Sequence, residues 1–200
     1  MLIYSRYSPE WRSIRERNLM TTGVVALSFA KRSEQDEPGP VNKRLARAVT
    51  AIIDELNAGG EDVALVTQWE IAKQLTRDGE PVGFVVNEKF ASTTSGNQRY
   101  LSSSDILEVA YDLFRMTDVH DVVVVANPFI HLQVARKMVK SAGFTIMKAK
   151  LPWVGFDPSK QNLQWWTKGP VRFVSYLAVQ AIGAITRRTF NGIGERQPQP

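Results

Sequence analysis

The segment that most narrows the fold runs from Asp121 to Phe144: Asp-Val-Val-Val-Val-Ala-Asn-Pro-Phe-Ile-His-Leu-Gln-Val-Ala-Arg-Lys-Met-Val-Lys-Ser-Ala-Gly-Phe. A strand with one face in water alternates apolar and polar residues. Val122 to Ala126 does not alternate, so both of its faces need cover. That is the signature of an inner strand of a parallel sheet, with helices above and below. Asn127-Pro128 then signals a helix start, because Asn accepts a bond from a free first-turn amide and Pro needs no donor at the first helical position. Gly143 marks the helix end.

The same alternation of short apolar runs and helical periodicity recurs along the chain. Gly23–Phe29 reads as the first strand. Leu45, Ala48, Val49, Ile52, Ile53 and Leu56 recur at helical spacing up to Gly59-Gly60. Asp62–Thr67 is the second strand, and residues 68–79 form a shorter helix. Pro81–Val86 is the third strand, and Asn87–Tyr100 a polar loop. Ser102–Met116 is a helix, with Ser102 and Asp105 as a weak capping pair. Asp121–Ala126 is the fourth strand and Phe144–Leu151 the fifth. Two helical stretches follow, Pro158–Thr167 and Pro170–Thr189. The pattern predicts an α/β fold: a doubly wound, mainly parallel, five-stranded Rossmann-like sheet with C-terminal helices. Residues 1–20 read as an N-terminal arm, 21–190 as a single α/β domain, and 191–200 as a flexible tail.

Composition sets limits on function. The chain has 200 residues, no cysteine and two histidines. Disulfides and thiolate chemistry are therefore excluded, and no transition-metal site is expected, although a carboxylate-only Mg²⁺ site stays open. Absence of cysteine fits a reducing compartment, and a cytoplasmic location is the expectation. The net charge of +5 points to a solvated basic surface or to an anionic partner. The basic residues are scattered, which argues against nucleic acid. No apolar run reaches the length of a membrane span. Phe173–Thr186 comes closest, but it carries Gln180 and reads as a packed core helix. The run after Arg15 and Arg17 has some features of a secretory leader. Glu10, Glu16 and the Thr21-Thr22-Gly23 break favour a core strand instead.

In a doubly wound sheet, ligands bind at the carboxyl ends of the strands where the strand order reverses. The residues just past each strand are thus the candidates: Ser28, Lys31 and Arg32 after the first, Gln68 after the second, Glu88 after the third, and Asn127 and His131 after the fourth. Ser102, Ser103 and Ser104 open the helix between strands three and four, so their helix start offers free amides to an anion. Counting about 100° per residue, Ile130, Val134, Met138 and Ala142 form a stripe with Ala135 and Val139 beside it. His131 lies within that face, in the first turn, while Arg136, Lys137 and Lys140 face away. A histidine there lines a crevice or is half-buried against backbone. No phosphate-loop motif, dinucleotide-binding glycine fingerprint or nucleophile elbow is present.

Three segments together resemble the SanA/YdcF/ElyC-like family of bacterial Rossmann-like domains: Lys-Arg-Leu-Ala-Arg-Ala-Val at Lys43–Val49, the serine-rich helix start at Tyr100–Phe114, and Val122–Phe144 with its His131-to-Gly143 spacing. The resemblance spans roughly Gly23 to Gly143. It implies a small-molecule site at the strand ends, of nucleotide-like character, and an association with envelope maintenance. The family's glycines after strands one and two are absent here, and the position of its arginine after the histidine is taken by Val134.

The preferred expectation is a protein binding a phosphorylated or nucleotide-like small molecule. His131 would act as general acid/base or phosphate donor, and Ser28, Lys31, Arg32, Gln68, Glu88, Ser102, Ser103, Ser104 and Asn127 would line the site. No particular cofactor is implied. The competing readings are a non-catalytic interaction protein that keeps the fold, and a basic nucleic-acid binder.

Overall fold

The computed structural model describes residues 22–30, 38–78, 84–86, 90–92, 98–100, 103–128 and 130–179. The elements run β1 (Thr22–Ala26), α1 (Pro40–Ala58), β2 (Val63–Gln68), α2 (Trp69–Arg77), β3 (Phe84–Val86), β4 (Phe90–Ser92), β5 (Gln98–Tyr100), α3 (Ser103–Met116), β6 (Asp121–Val125), α4 (Ile130–Ser141) and β7 (Thr145–Met147). One sheet has the order β3-β2-β1-β6-β7, and every pairing in it is parallel. An α/β fold on a parallel sheet is therefore what this alternating sequence adopts. β1, flanked by β2 and β6, is buried along its whole length.

The unalternating valines are explained by burial on two faces. On one, Val25, Leu27, Val66, Val122, Val124 and Ala126 pack with Ile106, Leu107, Ala110, Leu113 and Phe114 of α3 and Leu132, Ala135 and Val139 of α4. Their alternates Val24, Leu65, Val123 and Val125 are just as buried, and α1 packs on β1, β2 and β6 and against α2. Burying a side chain of this size contributes about 1.5–3 kcal/mol relative to exposure. Gly23 is fixed by the same packing: a Cβ on it would stand 2.8 Å from the Phe114 ring. Gly143 has φ +95°, the left-handed geometry that a helix-ending glycine supplies without strain.

Two compact units divide the described chain. Of the described residues, one carries the sheet and α1–α4 up to Gly155, and the other carries Ala30 and residues 156–179. In the second, Trp166 stacks on Tyr176 with ring centroids 4.8 Å apart, and Phe173 packs against Phe156 and Trp166.

Several expected elements are corrected. The loop Asn87–Tyr100 contains an antiparallel hairpin, β4 with β5, whose strands of three residues are too short to show a period. Phe144–Leu151 yields only Thr145–Met147 as strand. Pro158–Thr167 is not a helix: only Trp165–Thr167 forms a 3₁₀ turn. Buried Asn162 accounts for this, since its amide donates to the Asp157 carbonyl and to Thr167 Oγ1, a local alternative to helical bonding. Residues 170–179 are helical, and the rest of that predicted helix lies outside the described residues, as do the N-terminal arm and the tail. On α4 the buried face is turned from the predicted stripe. Leu132, Ala135 and Val139 are buried, Val134 is exposed and Arg136 is half-buried.

Candidate functional site

The strand order reverses between β1 and β6. α1 leaves β1 toward β2 on one side, and α4 leaves β6 toward β7 on the other. The carboxyl edge of this pair is the crevice position of an open parallel sheet. β1 and β6 stay joined to the end, where Leu27 N–H donates to the Val125 carbonyl at 2.8 Å. Beyond that point the chain from β1 is held by side chains. Ser28 N–H donates to Gln68 Oε1 at 3.0 Å, and Phe29 N–H donates to Asn42 Oδ1 at 2.8 Å. Ala30 follows with φ 77°, an uncommon conformation for a residue with a Cβ.

On the β6 side, Asn127 is buried and its side-chain amide donates to the Gly155 carbonyl at 3.0 Å. Its own carbonyl accepts from Leu132 N–H at 3.1 Å. Pro128 lies in a turn and α4 starts at Ile130, two residues later than the sequence pattern predicts. His131 is in the first turn of α4. Its Nε2 is 3.1 Å from Ser103 Oγ, at the start of α3. Its ring lies beside Phe29, with centroids 6.1 Å apart. Its Nδ1 is sealed from solvent, with no hydrogen-bond partner among the described residues.

Burial lowers the pKa of His131 from 6.5 to about 4, because the charged ring loses hydration. The ring is therefore neutral at neutral pH. This revises the expected role. What His131 offers a ligand is one neutral N–H or one lone pair, with the Ser103 hydroxyl beside it, and not a standing positive charge. Hydroxyl and imidazole at this separation have the spacing of a nucleophile and its base. Nδ1 lacks the third, orienting group that completes such an arrangement.

Of the residues singled out from sequence, the structure joins Ser103 to His131 and Ser28 to Gln68. Asn127 is placed between β6 and α4 but spends its amide on Gly155, and Ser104 is exposed. Lys31, Arg32, Glu88 and Ser102 lie outside the described residues. Asn42 and Phe29 were missed. Asn42 is a polar residue on the buried face of α1, between Val41 and Leu45, and that break in the apolar stripe was a usable signal. Nothing local marks Phe29 as a neighbour of His131, since 102 positions separate them. The second histidine, His120, is exposed near Asp118 just before β6, at the opposite edge of the sheet. Among the described residues no group of His, Asp or Glu is arranged to hold a metal ion, and no helix is long and apolar enough to cross a membrane.

No family model matches this sequence, and no curated protein matches it. Among solved structures it is similar to a Rhizobium etli pyruvate carboxylase determined with the allosteric activator acetyl coenzyme A. The identity is 10% and the TM-score 0.31, over 64% of this chain and 11% of that one. A likeness of this size carries no argument about fold or function.

Proposed function

We propose that this protein binds a small anionic molecule, phosphorylated or nucleotide-like, at the carboxyl edge of β1 and β6. The observation that carries the reading is the Ser103–His131 pair, with Oγ and Nε2 3.1 Å apart at the starts of two helices. Helix starts present unpaired amides and the positive end of the helix dipole. A hydroxyl and a neutral imidazole add directional donors without the cost of burying a charge. The resemblance to SanA/YdcF/ElyC-like proteins supports the same reading, and a cytoplasmic site of action fits the cysteine-free sequence.

A second reading, a fold kept for interaction without catalysis, is favoured by one specific observation. His131 is held neutral, and among the described residues its Nδ1 has no partner to orient it. The two readings separate in a thermal-shift screen across nucleotides and sugar phosphates, followed by calorimetric titration of any hit with wild type, Ser103→Ala and His131→Ala. The binding reading expects a stabilising hit that each substitution weakens by about 1–2 kcal/mol, the scale of a lost hydrogen bond. A hit unaffected by either substitution removes this pair from the site. Turnover of a hit that survives both substitutions removes it from the chemistry.

A further inference from the structure

One segment of the second unit, Pro158 to Gly194, has a one-sided charge. From Pro158 to Gly194 the sequence contains no Asp or Glu, while Lys160, Lys168, Arg172, Arg187 and Arg188 are all cationic. The carboxylate just before this stretch, Asp157, is buried. The helix at 170–179 has two apolar sides. One is used within the unit, where Phe173 and Tyr176 pack on Trp166. The other meets solvent: Val171 is 78% exposed, Val174 64% and Val179 60%, with Leu163 and Trp165 exposed just before the helix. Val171 and Val174, three residues apart, share a side of the helix. Lys168 and Arg172 line the same shallow groove as Val171, so the cations border the apolar side.

Exposed valines side by side on one helix face, bordered by Lys168 and Arg172, make an apolar patch with a cationic rim. The charge also selects among occupants. A second copy would set two cationic faces against each other, and like charges repel. An anionic surface instead meets both features at once. We infer that this face docks on an anionic lipid bilayer. Val171 and Val174 enter the boundary between headgroups and acyl chains, and Lys168 and Arg172 meet the lipid charge. An apolar side bordered by cations is the pattern of a helix that lies in the membrane plane, and it needs no spanning segment.

The test is sedimentation of the full chain with phosphatidylcholine vesicles, with and without phosphatidylglycerol. Binding is expected only with the anionic lipid, and it should fall as salt is raised. Val171→Asp with Val174→Asp should cut the bound fraction roughly tenfold or more. Lys168→Gln with Arg172→Gln should cut it about fivefold for each charge removed. Circular dichroism and a melting curve establish that each variant folds. The glutamine pair is on the surface and tests the idea even if the aspartate pair does not fold. Three results overturn the inference: no sedimentation of wild type with anionic vesicles, equal binding by wild type and the folded variants, or light scattering that shows a dimer dispersed by the aspartate pair without lipid binding.

Discussion

Two handovers from strand to helix, β2 to α2 and β6 to α4, lie at the same edge of the sheet and treat their polar groups differently. At the first, Gln68 is buried and its carbonyl oxygen is taken by Ser28 N–H. Asn42 does the same for Phe29 N–H from α1. At the second, Asn127 spends its amide on the Gly155 carbonyl, while His131 keeps one ring nitrogen sealed and unbonded and shares the other with Ser103. Buried polar groups normally have partners, because an unmade bond costs the full desolvation of the group. A group whose partner is the chain itself belongs to the framework. A group left with spare capacity at a switch point is where a ligand gains most.

The contrast can be broken, and the largest effect is expected at Asn42. Asn42→Ala strands the buried Phe29 amide and leaves a small void, so stability should fall by about 2–4 kcal/mol in denaturant unfolding. An unchanged midpoint would mean that the loop after β1 is not held as described.

Acid sharpens the comparison next. In the unfolded chain His131 titrates near 6.5, and in the fold near 4. Between those values the unfolded state binds the proton and the native state does not. His131 therefore leaves stability intact above about pH 6.5 and takes it away as pH falls through about 4. At about 1.4 kcal/mol per unit, trimmed because the ring is only partly covered, the loss is roughly 2 kcal/mol. His131→Gln should flatten the stability profile in that window, and Gln68→Leu should leave its slope alone. Parallel slopes for wild type and His131→Gln would show that the ring is not held neutral by burial.

Gln68→Leu removes an acceptor from a partly buried amide, so about 1–2 kcal/mol of stability should go. The smallest effect on stability is expected for Ser103→Ala, under about 1 kcal/mol by chemical denaturation, because the hydroxyl is only half-covered and His131 stays neutral without it. If Ser103→Ala costs more stability than Gln68→Leu, the second handover is framework too, and the proposed site loses its main support.

The fold was legible where burial imposed a period. The valines of β6, the stripe of α1 and the stopping glycines Gly60 and Gly143 declare themselves within ten or twenty residues. β4 and β5 were not legible, because strands of three residues are too short to carry a period. The helix expected at Pro158–Thr167 was misread because the competitor, Asn162, wins through bonds to Asp157 and Thr167 that no helical pattern reveals. On α4, Val134 looked buried from spacing alone. Which side of a helix is covered depends on where α3 and the sheet stand.

The site divides in the same way. The position of His131 follows from local chemistry, since a valine strand running into Asn-Pro places the next turn at the sheet's carboxyl edge. Its partner, its neighbour and its charge do not. Ser103 is 28 positions earlier and Phe29 more than 100, and the neutral state of the ring comes from desolvation, which exists only after those segments close over it. Sequence alone determined the alternating α/β plan, because apolar periodicity is a local response to which faces must leave water. Tertiary structure alone decided which polar groups the chain uses up and which it leaves free, because that depends on contacts between segments that share no local pattern.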